Sequence, residues 1–364
     1  MEKLTRSCIF LVLALLMLSG CGNTENNLLD DKEVATLDCS SATNDESVLP
    51  DYVINISDIR QIEEKKCSLS EFAFEDKVYY VLEYAHDGAQ YAYKYEIYED
   101  DNGAATLLYS SDTIVWLNEF TIHMGNLFWV EFSVEKDYLI YSIIQFDLGK
   151  KEKICLAEYS SNDVAEILLT AGDGYLAWYE NYGDIVNLQY FDIKNSEIHS
   201  YDNKAICVTS AYDRAEIVDS AISFFVETNG IKSIVNLQLK THKEKEIVAL
   251  NNDKFAGYVA NSKSIVWFTN YINGNCFLYD IKNDELSQIA FPKGINIFSL
   301  HSDKNAVYFN MRGDKNYLLV LNNDKTITKM FFSDAFAGTH FGRNKYGSYI
   351  KLEGTNIVGV KCFY

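Results

Sequence analysis

The chain has 364 residues, with 52 acidic side chains against 32 basic ones and a formal net charge of −20. A surface this acidic repels phosphate backbones, and no basic stripe offsets it, so nucleic acid is not expected as a partner. Hydrophobic residues make up 48% of the chain, with 26 Tyr and 21 Phe but only 2 Pro; this is enough for a large core, and the composition favours strands.

The first element in chain order is a leader. Lys3 and Arg6 precede an uninterrupted apolar run over residues 8–18, which is followed by the small residues Ser19 and Gly20 and then Cys21. A charged n-region, a short apolar h-region and small residues before a cleavage point are the parts of a secretory signal. The run is too short for a membrane-spanning helix, which needs about 20 residues. The sequence Leu18, Ser19, Gly20, Cys21 resembles the lipobox of bacterial lipoproteins. The resemblance implies that residues 1–20 are removed and that Cys21 carries acyl chains. It places the protein at the cell membrane on the extracytoplasmic face, or at the outer membrane in a host that has one.

Residues 21–50 are the next segment, an expected tether. Beyond Cys21 the segment holds Glu25, Asp30, Asp31, Glu33, Asp38, Asp45 and Glu46 against the single Lys32, and it has no aromatic residue. Such a composition buries too little apolar surface to offset its ordering entropy. As a flexible coil, residues 22–50 would hold the folded domain roughly 30 Å from the anchor.

From residue 51 onward a pattern recurs. A turn, an apolar or small residue and an aromatic two positions later appear at Tyr80, Trp129, Trp178, Phe224, Trp267, Tyr308 and Tyr349, separated by 49, 49, 46, 43, 41 and 41 residues. After several of them a strand ends in an Asp that enters a polar turn, at Asp147, Asp192 and Asp280. Each repeat parses as four short strands. In the fifth these are residues 255–260, 263–269, 274–281 and 285–290. Four antiparallel strands every 40–50 residues is the layout of a β-propeller blade. The fold class expected is therefore all-β: one propeller over residues 51–364, with seven four-stranded blades, or alternatively six or eight. The Asp-bearing strand ends resemble the repeats of TolB-like and quinoprotein-like propellers, and the resemblance extends to fold alone. The last repeat offers only three strands, near 335–342, 345–352 and 355–363. Residues 52–57 form an upstream strand without a local partner, so they are expected to complete the last blade and remove an exposed edge.

No local motif carries chemistry. The cysteines beyond Cys21 lack metal or redox spacing, and ring closure suggests at most a pairing of Cys67 with Cys362. The six histidines stand singly, and no nucleophile elbow is present. No catalytic residue, metal or cofactor is expected. The one recurring surface feature lies four residues beyond each aromatic, in the connection from second to third strand. There Tyr84, Tyr182, Tyr271 and Arg312 would share a rim suited to stacking on sugar rings or anchoring a protein, or else would fold back over the strand ends. The functional expectation is a monomeric, membrane-tethered module that binds an envelope protein or a polysaccharide. The alternative is an extracytoplasmic hydrolase or lyase acting at the central pocket.

Overall fold

The computed structural model describes residues 35–39, 42–44, 52–54 and, apart from several connections, 67–363; for the last sheet it describes the backbone. The described residues form seven sheets, each built on four strands consecutive in the chain except the last, and two of them, the fifth and sixth, gain a fifth strand from the N-terminal segment. In the last sheet, the strands Gly338–Gly342, Tyr346–Glu353 and Asn356–Phe363 are joined by Tyr52–Ile54, which pairs antiparallel with Asn356–Phe363 through Tyr52↔Cys362, Val53↔Lys361 and Ile54↔Val360. The expected closing strand is thus in place.

The first strands of the sheets contact one another in sequence. Cys67–Phe74 touches Trp116–His123, which touches Leu169–Gly172, and contact passes on through Glu216–Val218, Gly257–Ala260 and Asn296–Ser302 to Gly338–Gly342, which returns to Cys67–Phe74. The chain is therefore a closed β-propeller with each first strand innermost. The recurring aromatics all lie in second strands, and the six whose side chains are described, Tyr80 to Tyr308, are all buried. They fill the cores between neighbouring sheets. Trp129 packs with Tyr79, Val81 and Ile97 of the first sheet, and Trp178 packs with Phe128, Val130 and Tyr141 of the second. A sheet covers only one face of its neighbour, so a ring of sheets buries both faces of each.

Two further devices lock the ring. The turn between first and second strands hydrogen-bonds to the next sheet's equivalent turn. Glu75 accepts from the Met124 and Gly125 amides, His123 Nε2 accepts from the Gly174 amide at 2.9 Å, and Asp173 accepts from the Ser220 amide at 3.2 Å. Met124, Gly125, Asp173, Gly174 and Ser220 all have positive φ, as tight hairpins between twisted strands require. Further in, Glu119 forms a bulge on the second sheet's inner strand and accepts the Leu169 amide of the third sheet at 3.1 Å. The recurring Asp has a local task. Asp147 accepts from the Gly149 and Lys150 amides, Asp192 from the Asn195 amide, and Asp280 from the Lys282 and Asn283 amides. Each caps the turn between third and fourth strands by bonding the backbone two or three residues on.

One departure concerns the acidic segment. Ala35–Asp38 pairs in parallel with Glu285–Ala290, the outermost strand of the fifth sheet, and Thr43–Asn44 pairs in parallel with Ile327–Phe331, the outermost strand of the sixth. These residues are not a free coil but a strap over two outer edges. Net composition hid the cause. Leu37, Cys39 and Ala42 all enter or pack against the core between these two sheets, and unpaired edge groups on Glu285–Ala290 and Ile327–Phe331 supply backbone partners that a free coil lacks.

Candidate functional site

The expected rim of tyrosines begins at the outer ends of second strands. Tyr84 is the penultimate residue of Val78–Ala85, Tyr182 ends Tyr175–Tyr182, and Arg312 ends Ala306–Arg312. The topology thus brings these three positions to one face of the ring. Tyr84 is folded back. It is buried, its hydroxyl donates to Glu96 at 2.5 Å, and Lys94 Nζ lies 5.5 Å from its ring centre. Glu96 also accepts from the Tyr98 hydroxyl at 2.6 Å and pairs with Lys94 at 2.8 Å. Burial works to raise the Glu96 carboxyl, but the hydrogen bonds from Lys94, Tyr84 and Tyr98 outweigh it and hold the group below its ordinary value. The Tyr84 ring is therefore committed to the sheet. The side chains of Tyr182 and Arg312, and Tyr271 altogether, lie outside the described residues, as does Cys21. The side chains of Cys67 and Cys362 also lie outside them.

Sequence reasoning missed a second buried carboxylate. Glu131, two residues beyond Trp129, accepts from Trp129 Nε1 at 3.1 Å, from Lys153 Nζ at 2.6 Å and from the Tyr95 hydroxyl across the interface with the first sheet. Lys153 Nζ also donates to the Tyr109 hydroxyl at 3.0 Å and lies 5.0 Å from that ring's centre. Burial, then the Glu131 charge, pushes the Tyr95 phenol far up. Burial opposes the Lys153 charge, yet the bonds to Glu131 and Tyr109 win and raise that group too. A general acid or base works best near the ambient pH, and these shifts carry both groups away from it. The network is a clamp between the first two sheets. The only sequence signal for it was a Glu at the same offset from both Trp129 and Trp178. Glu180, beyond Trp178, is likewise buried and bonded, accepting from Gln189 at 2.8 Å.

A third feature is a cleft of about 280 Å³ between the fifth and sixth sheets, on the hairpin-turn face. Leu278 and Leu321 form its apolar floor, and Ser264, Asn283, Asn322 and Asn323, the Asp280 carboxylate and Lys263, Lys282 and Lys325 line its walls. The turn caps position these groups: Asp280 orders residues 282–283, and Asn261 accepts from the Lys263 and Ser264 amides at 3.0 and 2.9 Å. Lys325 spans the cleft from the sixth sheet to Glu285 at 2.9 Å and Asp280 at 3.5 Å on the fifth. Among the described residues, neither the Lys263 nor the Lys282 ammonium has a carboxylate partner, and both side chains are exposed. Two cations, several amides and a leucine floor match a ligand that is anionic, rich in hydroxyls and apolar on one side. Among the described residues, no group of three His, Cys, Asp or Glu side chains is placed to hold a metal ion.

No protein-family model matches the chain, and no curated protein matches it. Solved structures do. The chain is similar to the β-propeller domain of the Trilobed protease from Pyrococcus furiosus, described as having an open velcro topology, at 14% identity and a TM-score of 0.57 over 80% of this chain and 91% of that one. It is also similar to Pyrococcus horikoshii acylaminoacyl peptidase, at 12% identity and a TM-score of 0.56 over 82% of this chain, which spans about half (51%) of that protein's length. At these identities the likeness is one of fold: the chain has the fold of β-propeller domains.

Proposed function

We propose that this protein is a lipid-tethered, extracytoplasmic binding module whose propeller takes an acidic polysaccharide in the cleft between its fifth and sixth sheets. The observation that carries the reading is the cleft's lining. In a molecule of formal charge −20, the ammonium groups of Lys263 and Lys282 share one recess with three asparagines and a leucine floor, while the recess's one carboxylate, Asp280, is paired with Lys325. Amide and ammonium groups suit hydroxyls and carboxylates, and the floor suits the apolar face of a sugar ring. The lipobox-like run ending at Cys21 supports the membrane address, and Cys21→Ala is expected to release an otherwise folded protein from the membrane fraction.

The test is titration calorimetry with uronate-containing and neutral glycans of equal length. The acidic series is expected to bind, and Lys263→Glu with Lys282→Glu is expected to abolish binding while leaving the unfolding temperature within a few degrees. Equal binding of neutral glycans, or undiminished binding by the double variant, overturns the ligand class. Turnover of a bound glycan shifts the reading to a hydrolase or lyase, and capture of an envelope protein through this cleft shifts it to a protein partner.

A further inference from the structure

The direction of the strap brings the N-terminal segment to the cleft. Ala35–Asp38 runs parallel to Glu285–Ala290, with Ala35 opposite Ser287 and Asp38 opposite Ala290. The strap therefore begins at the end where Glu285–Ala290 leaves its turn. Asp280, Lys282 and Asn283, on the approach to that strand, line the cleft. Pairing has reason to stop there. Two more residues of the same register would set Glu33 opposite Glu285, and like charges at opposed positions destabilise a sheet.

The sequence of the segment is the second observation. Residues 22–34 lie outside the described residues. They contain one adjacent apolar pair, Leu28 and Leu29, followed by Asp30, Asp31, Lys32 and Glu33. The cleft is the complement of this run. Its floor is Leu278 and Leu321, and the Lys263 and Lys282 ammonium groups have no carboxylate partner among the described residues. Its own carboxylate, Asp280, is paired with Lys325 at 3.5 Å.

Reach is sufficient. Asn283 lies four residues before Ser287, so at most about 14 Å of chain separates them. One strand spacing, about 4.8 Å, separates Ser287 from Ala35. Leu28 lies seven residues before Ala35 and extends up to about 25 Å from it.

We propose that residues 28–33 occupy the cleft of their own molecule as an internal ligand that an acidic glycan must displace. Asp30, Asp31 and Glu33 take the ammonium groups, and Leu28 and Leu29 take the floor. The displacement rests on the reading of the cleft as an acidic-glycan site; the docking does not. Ordering a polar segment costs entropy, so the contact is weak in itself. The short connection to Ala35 compensates, presenting the segment at an effective concentration on the order of 1 mM. An intrinsic dissociation constant of about 0.1–0.5 mM then lowers the glycan's apparent affinity about 3- to 10-fold. Docking also shortens the free tether. With Cys21 as anchor, residues 22–27 span about 20 Å at full extension, against about 45 Å for residues 22–34 once the segment is displaced.

The test has two arms, both on the full chain isolated in detergent. In the first, a zero-length carbodiimide joins carboxylates to ammonium groups in contact, and the digest is mapped by mass. Asp30, Asp31 or Glu33 is expected to be joined to Lys263 or Lys282 within one molecule. The yield is expected to fall several-fold in Leu28→Ser with Leu29→Ser, which keeps every reacting group. Links only to lysines outside the cleft, or only between two molecules, overturn the proposal. In the second arm, calorimetry with a uronate-containing glycan compares the wild type with a variant carrying Asp30→Asn, Asp31→Asn and Glu33→Gln. The variant is expected to bind about 3- to 10-fold more tightly. Equal binding by the two proteins overturns the inference and leaves the glycan reading standing. Cleft links without glycan binding by either protein support the docked segment and sink the glycan reading instead.

Discussion

The outer rim of this propeller is built in two ways. On the fifth and sixth sheets the strap turns the outermost strands into interior ones. On the first three sheets the outermost strands face solvent. Leu107, Ile154 and Ile198 on those open strands are 49%, 44% and 43% exposed, whereas Ile289, paired with Leu37 of the strap, is 3% exposed. The strands themselves differ little in apolar content. What differs is whether a fifth strand satisfies their edge groups and covers their side chains. A propeller can thus be locally completed by a short segment whose composition reads as solvent-loving.

The largest expected effect tests the covered side. Ile289 sits between Leu37 of the strap and Cys276 of the sheet. Ile289→Ala is expected to cost about 2–4 kcal/mol in denaturant unfolding, as buried aliphatic truncations do. A loss below about 1 kcal/mol would mean that the strap does not close this core.

The next largest asks how an open edge is held without a strap. On the second sheet the outer strand sends Lys153 inward to Glu131. Lys153→Met leaves that carboxylate buried with one fewer partner, and the expected cost is about 1–3 kcal/mol. Adding Glu131→Gln is expected to recover part of the loss, because the unpaired charge goes with it. Full additivity of the two single losses would show that the groups do not act as a unit.

These contrasts also mark what the sequence disclosed. The aromatic at Tyr80, Trp129 and Trp178 was legible because a repeated sheet needs the same filler at each interface, and spacing reports that directly. The closing strand was legible because three strands near residues 335–363 left a fourth to be found, and residues 52–57 stood unpaired. The strap was not legible. Acidic residues dominate the segment's composition, while its docking depends on a few side chains, Leu37, Cys39 and Ala42, meeting a groove that exists only once two distant sheets are side by side. The candidate site was hidden for the same reason: Lys263, Lys282 and Lys325 come from three turns on two sheets. The position of Tyr84 at the end of a second strand followed from the repeat, but the carboxylate that draws its side chain in, Glu96, lies on the neighbouring strand and forms no pattern with it in the sequence.

A smaller effect compares the turn caps. Asp147 is held below its ordinary 3.8 by the Lys150 amide and side chain within its own turn. Burial works against Asp280, but the Asn283 bonds and then Lys325 from the next sheet hold it below 3.8 as well. A depressed carboxyl contributes stability that is present above its unfolded value and lost as pH falls through the folded one, so both turns are expected to weaken below about pH 4. Lys325→Ala is expected to raise the Asp280 carboxyl toward 3.8 and leave Asp147 where it is, read by carboxyl NMR titration. Movement of both would mean that the charge acts across the whole ring rather than at one junction.

The smallest effect is the control for the whole comparison. Ile154 lies on an open outer strand and pairs with Gln145. Ile154→Ser removes apolar area that water already reaches, so its expected cost is within about 0.5 kcal/mol. The same change at Ile289 buries a hydroxyl beneath the strap and should cost several times more. If the two serines cost the same, coverage is not what separates the two halves of the rim, and the strap would have to act through its backbone bonds alone. Ala35–Asp38 would then stabilise the fifth sheet even with Leu37→Ser, which is the variant that isolates pairing from burial.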